Sequence, residues 1–300
     1  MENGQLIDIK GKKIYVEISH KKCDKAILYL HGGPGEGCFD FTYHQKTRLG
    51  DKFKLIASDQ RGVCRSEGIS IGETFCLDDL VDDCEGLRQL LRIKKWSIIG
   101  HSFGGYLAVL YASRYPNSVE KVIFEGPTFD FRLTAKALLK KTASLFEKYK
   151  MVEHELKCIK LYNDATLSAR ELVEGYMEIG ELLEENRMEI YTHNFNNPTD
   201  TGVYSDGQWD NFYNKSAIHF DRLRDEGKIF ESVFPLLKKI NIPCLLILGE
   251  HDAVTCPIQV QTYITEVKQG EIYTVKYSGH TPHYEAADEF CDVVTDYLTK

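Results

Sequence analysis

The sequence predicts an α/β fold, a mostly parallel central sheet flanked by helices, with a helical cap inserted into it. Three observations predict this. Short continuous apolar runs, such as Ala26-Ile27-Leu28-Tyr29-Leu30, alternate with stretches of helical apolar spacing over short connections. Two of these runs end in glycine-rich loops. From about Phe129 to Phe234 the strand-like runs disappear, and they return at Pro243. The chain therefore divides into a first core part (1–128), a helical cap (129–235) and a second core part (236–300). That division suits 300 residues, more than the roughly 100–200 of a usual single core.

Residues 5–9 and 13–19 read as a strand pair about a turn at Lys10-Gly11-Lys12. The run from Ala26 to Leu30 is apolar throughout, as expected of a strand covered on both faces. It ends in His31-Gly32-Gly33-Pro34-Gly35, a loop whose bare backbone can turn amide N–H groups into a site. Phe53 to Ser58 is the next strand, closed by Asp59-Gln60-Arg61-Gly62. Leu77 to Leu91 has helical spacing (Leu77, Leu80, Val81, Cys84, Leu87, Leu90, Leu91). Trp96 to Ile99 is a strand, and the helix after Ser102 stops near Tyr115-Pro116, because a proline disfavours helix at the preceding residue.

Val119 to Phe124 is another strand. In the inserted segment, Leu133-Ala137-Leu138 and Leu172-Tyr176-Ile179-Leu183 show helical spacing, interrupted by a polar passage from Asn194 to Asp210. Insertions of this kind often cover a site at a sheet edge. Pro243 to Leu248 resumes the sheet and runs into Gly249-Glu250-His251-Asp252. Ile272 to Tyr277 is the last strand, Ser278-Gly279-His280 follows, and one helix from Tyr284 to Leu298 closes the chain.

Composition bounds the function. A hydrophobic fraction of 43% with 27% charged residues is that of an ordinary globular protein. A net charge of −8 with scattered lysines argues against nucleic acid and anionic membrane as partners. No apolar run reaches the roughly 18 residues of a membrane span. The start, Met1 to Gln5, lacks a basic segment followed by an apolar one, so no signal peptide is expected. Nine cysteines, an odd number without C-x-x-C spacing, point to reduced thiols in a cytoplasmic protein, and none sits in a motif that would activate it as a nucleophile.

Gly100-His101-Ser102-Phe103-Gly104 follows an apolar strand and opens a helix, the context either of a G-x-S-x-G nucleophile turn or of a plain glycine-rich connection, and its partners decide between them. A serine hydroxyl needs a base, and the base needs a carboxylate to fix its tautomer. Ser102, Asp252 and His280 stand in that order, each just beyond an expected strand, at the edge where open α/β sheets bind ligands. Glu250 and His283 are the rivals within the last two loops. Asp252 is preferred because it lies further beyond its strand, and His280 because it follows its strand directly. His280 and His283 also form H-x-x-H, but no third ligand at suitable spacing accompanies them, so no metal is expected.

On these motifs the chain resembles the α/β-hydrolase superfamily over essentially its whole length. Within it, His31-Gly32-Gly33-Pro34-Gly35 and Asp59-Gln60-Arg61-Gly62 with Ser66 are similar to the proline iminopeptidase (prolyl aminopeptidase) branch. The resemblance implies an oxyanion hole from the Gly33 and Phe103 N–H groups, and a bracing role for Asp59 and Arg61. It also implies a cap whose carboxylates hold a substrate's free amino terminus, and Glu189, in Arg187-Met188-Glu189, is the residue it points to. The branch places Gly and Trp beside the nucleophile where this chain has His101 and Phe103.

The resulting expectation is a serine hydrolase acting on short peptides or small molecules through an acyl-enzyme, without cofactor or metal. An aminopeptidase like the proline iminopeptidases comes first, a carboxylesterase or lactonase second, and a non-catalytic ligand receptor on the same fold last. Oligomeric state, natural substrate and residue specificity are not legible in the sequence.

Overall fold

Strands β1 (Gly4–Ile9), β2 (Lys12–Ile18), β3 (Ala26–Leu30), β4 (Lys54–Ser58), β5 (Trp96–His101), β6 (Val119–Glu125), β7 (Cys244–Gly249) and β8 (Gly270–Val275) join in one sheet, in the order β1-β2-β4-β3-β5-β6-β7-β8. The computed structural model describes residues 4–19 and 23–300, so the first three residues of the expected leaderless start lie outside the described residues. β1 and β2 form an antiparallel hairpin closed by Lys10 and Gly11, both at positive φ, the two-residue turn that matches strand twist. β2 pairs antiparallel with β4, and the remaining neighbours are parallel.

The central strands are covered on both faces, which explains why they read as unbroken apolar runs. Along β3, Leu28 and Leu30 join one core cluster while Ile27 and Tyr29 join the other. On β5, Ile98 and Ile99 split in the same way. Burying each such side chain is worth about 1.5–3 kcal/mol.

Helix α1 (Phe39–Gly50) supplies Phe41 and Leu49 to one face; α2 (Leu77–Leu90) and α3 (Phe103–Arg114) pack on the other. Between β6 and β7 the chain carries α4 (Phe131–Lys148), α5 (Val152–Asn163), α6 (Ala169–Glu181), α7 (Asp206–Glu226) and the short α8 (Phe234–Leu237), with no strand among them. α9 (Pro257–Glu266) links β7 to β8, and α10 (Pro282–Glu285) and α11 (Ala287–Thr299) close the chain.

Four elements depart from the sequence expectation. β8 runs from Gly270 to Val275, ahead of the expected Ile272 to Tyr277, because its parallel register with β7 ends at Gly249↔Val275. The closing helix is two helices, broken at Ala286 (φ −140°, ψ 54°). α1 and α9 gave no readable apolar period, since buried polar residues hold part of their inner faces: Thr42, His44 and Gln45 in α1, and Gln259 in α9. Among the described residues no helix is long and apolar enough to cross a membrane.

Candidate active site

Ser102 sits between β5 and α3 with φ 53° and ψ −118°, a conformation that L-residues avoid. Glycines on either side make the turn possible. A β-carbon on Gly100 would lie 2.5 Å from the Gly104 carbonyl oxygen, and one on Gly104 would collide with the Leu30 carbonyl. The strained backbone is pinned to the end of β6 and the loop after it. Ser102 N–H donates to Glu125 O at 3.0 Å, and Thr128 N–H donates to Ser102 O at 3.1 Å. Strain of this kind costs about 1–3 kcal/mol and persists where surrounding contacts over-determine it.

Asp252 and His280 come from the loops after β7 and β8. His280 Nδ1 lies 3.1 Å from Asp252 Oδ1, which also accepts the Val254 N–H at 2.8 Å. Both side chains are buried, at 6% and 2% exposure. With Nδ1–H committed to the carboxylate, Nε2 carries the lone pair. Burial opposes charging of His280, but Asp252, with Glu36 and Glu125 beyond it, outweighs that and raises its pKa. Ser102 and His280 line one cavity of about 770 Å³, and Gly33 lines it too. Phe103 opens α3, so its N–H has no carbonyl one turn back to bond.

The rivals are otherwise engaged. Glu250 accepts the Tyr277 N–H at 3.1 Å. His283 gives Nδ1 to Glu125 at 2.9 Å and Nε2 to Asp40 at 2.7 Å. It therefore keeps no ring nitrogen for a serine proton. Burial works against its charge, yet the two carboxylates raise its pKa to about 10.

The fold groups His283 not with His280, its H-x-x-H partner in sequence, but with His101 and Glu125. Potential ligand atoms of His101, Glu125 and His283 lie within 4.8 Å of one another. Both ring nitrogens of His283 are taken up by the Glu125 and Asp40 carboxylates, an arrangement that reads as an ion network. His101 packs between the other two histidines, with ring centroids 4.6 Å from His280 and 5.2 Å from His283. Burial, then its neighbours' charge, hold it neutral.

The loops expected to brace the site do so. Asp59 accepts the Cys38 N–H at 2.8 Å and pairs with Arg65, while Arg61 forms a two-pronged ion pair with Asp83. His31 accepts the Gln60 N–H at 3.0 Å, tying the loop after β3 to the loop after β4. Ser66 donates to Asp59 O at 2.7 Å and accepts the Tyr15 N–H. The nine cysteines are free thiols, and burial pushes Cys64, which lines the cavity, up to about 12, far from a thiolate nucleophile.

Glu189 is the expectation that the structure corrects. Its carboxylate is held by Lys148 at 2.6 Å and by the Tyr149 hydroxyl, and it is not among the residues lining the cavity. The short helix Glu184–Ile190 turns Arg187 and Met188 inward and leaves Glu189 facing α4. The acidic residues that do line the cavity are Glu36 and Asp40, on the loop after β3 and the first turn of α1. Sequence reasoning passed over both. The available signal was an acid placed directly after the glycine-rich loop.

Glu285 was also missed. Buried at the break before α11, it accepts N–H groups from Gly279, Thr281, His193 and Asn194. It thereby stitches the loop bearing His280 to the inserted segment, and the His280 N–H adds a bond to Tyr191 O at 2.7 Å.

With this geometry in view, the chain can be set beside known proteins. It is 24% identical over 301 residues to the proline iminopeptidase PfmaB of Pestalotiopsis fici, covering 99% of each chain. It is 23% identical over 305 residues to a proline iminopeptidase of Saccharolobus solfataricus, covering 97% of this chain and 90% of that protein. Its fold is similar to that of a proline iminopeptidase-related protein from Thermus thermophilus, with TM-score 0.73, 19% identity, and 100% and 98% of the two chains covered. The model of the alpha/beta hydrolase fold family matches residues 25–287, and the chain belongs to that family.

Proposed function

We propose that the protein is a serine hydrolase that works through an acyl-enzyme, and that it acts as an aminopeptidase on short peptides. The observation that carries the reading is the Asp252–His280 hydrogen bond behind a cavity that Ser102 and His280 share. Ser102 Oγ attacks the carbonyl carbon as His280 Nε2 takes its proton. The Gly33 and Phe103 N–H groups receive the oxyanion. His280 then returns the proton to the leaving amine, and a water activated by the same nitrogen releases the acid. Residues 129–235 serve as the cap over this site. Full-length similarity to proline iminopeptidases supports the peptidase assignment.

A second reading, a carboxylesterase, draws support from the cavity wall, where Phe131, Leu138, Val173, Met177 and Phe220 are apolar, and from Glu189 facing away. Turnover of an aminoacyl amide with a free amine, compared with its N-acetylated form, separates the two. The aminopeptidase prefers the free amine by at least about tenfold, the equivalent of about 1.4 kcal/mol. Equal turnover, with faster cleavage of a small neutral ester, selects the esterase.

His280 must be neutral to accept the serine proton, and its pKa is raised from the ordinary 6.5. Activity is therefore lost as pH falls, and the acidic limb of kcat/KM has its midpoint above pH 6.5. A midpoint well below that value contradicts the pairing of His280 with Asp252.

A further inference from the structure

Glu36 follows the glycine-rich loop after β3, and its carboxylate opens onto the cavity. The carboxylate makes no hydrogen bond or ion pair with any described residue, while the Glu36 N–H donates to Gly32 O at 3.5 Å and its carbonyl accepts from Cys64 Sγ at 3.4 Å. The Glu36 side chain is exposed to the open cavity, while the protein atoms packed around it raise its pKa, and His280, Asp40, His283 and Arg187 are the charges that act on it. It stands beside the nucleophile. A β-carbon built on Gly32 would lie 2.6 Å from Glu36 Oε2 and 3.0 Å from Ser102 Cβ, so the carboxylate and the serine flank the same point.

The other charged side chains of the cavity have their own partners. Asp40 accepts from His283 Nε2 at 2.7 Å and from the Thr199 hydroxyl. Arg187 lies 3.0 Å from Glu181. Glu189 is bound to Lys148 outside the cavity. An unpartnered carboxylate in the cavity offers its charge to a cationic ligand, and an ammonium entering beside it is paired instead of left bare in the site. Its position narrows the ligand further. An α-ammonium is separated from the scissile carbonyl by one carbon, so its counter-ion must stand next to the nucleophile. A cation at the far end of a longer substrate would need a carboxylate deeper under the inserted helices.

We infer that Glu36 is the counter-ion of the substrate's α-ammonium group. One loop, His31 to Gly37, then offers both an oxyanion donor at Gly33 and the amine-reading carboxylate, and the inserted helices supply an apolar wall instead of the charge. The inference rests on the aminopeptidase reading.

Steady-state kinetics on a free-amine aminoacyl amide and on its N-acetylated form test it, with wild type, Glu36→Gln, Glu36→Asp and Glu189→Gln compared. Glu36→Gln lowers kcat/KM for the free-amine substrate by about 30-fold or more, an effect on the order of 2 kcal/mol. The loss falls mainly on KM, because the ammonium is bound in ground and transition states alike. The preference for the free amine collapses with it. Glu36→Asp, which keeps the charge on a shorter stem, recovers part of the preference, and Glu189→Gln retains it. Thermal unfolding within a few degrees of wild type establishes that Glu36→Gln is folded, and an unfolded Glu36→Gln leaves Glu36→Asp and Glu36→Ala to carry the comparison. A preference that survives in every Glu36 variant overturns the inference while leaving the aminopeptidase intact. A wild-type enzyme with no preference overturns the aminopeptidase reading and the inference with it.

Discussion

Ser102→Ala is expected to lower kcat/KM by about a thousandfold or more while the protein stays folded. The variant removes only the hydroxyl. The backbone bonds that hold the turn, from Ser102 N–H to Glu125 O and from Thr128 N–H to Ser102 O, do not involve the side chain. Alanine also has to adopt φ 53°, as serine does, so the strain is much the same in both. Near-normal activity in this variant, measured on the best substrate found, would remove the nucleophile from the scheme. Labelling by a fluorophosphonate probe gives an independent check, since wild type is modified at Ser102 and the variant is not.

The two neighbouring histidines separate chemistry from stability. His283→Ala leaves Glu125, fully buried at the end of β6, without its cationic partner. Breaking a buried pair by removing one member costs about 3–5 kcal/mol, and denaturant unfolding at neutral pH should report a loss of that size. The pH dependence carries the same signature. The folded pKa of His283 is raised to about 10 from the ordinary 6.5. Its contribution is therefore present in full below about pH 6.5 and is lost as pH rises through about 10. That part of the alkaline decline should vanish in His283→Ala. His280→Ala, by contrast, abolishes labelling of Ser102 and leaves the Glu125–His283–Asp40 network in place. A His283→Ala protein as stable as wild type, within about 1 kcal/mol, would mean that the network is not an ion pair in solution.

The reading of His283 also marks where a linear sequence stops being informative. Its spacing from His280 suggested either a rival base or half of a metal site. What decides its role is Glu125, 158 positions away in sequence, and Asp40, 243 away. Both reach it because parallel strands bring all their C-terminal ends to one edge of the sheet.

What the sequence determined by itself was the sheet and the triad candidates. β3, β5 and β7 are covered on both faces, so burial left an unbroken apolar signature, and the tight turn at Ser102 left its glycines. Those are local constraints, and local constraints are written into neighbouring residues. Elements whose inner faces carry polar side chains, α1 and α9, left no such period. The tertiary structure alone decided which carboxylates face the cavity. Glu189 looked like the amine reader on a local resemblance, but the turn of the segment Glu184–Ile190 directs it to Lys148 and Tyr149. Glu36 went unread in the sequence, and the path of its loop brings it against Ser102 across Gly32. Whether a charge meets a partner or a cavity depends on contacts between segments far apart in the chain, and no spacing along the chain records them.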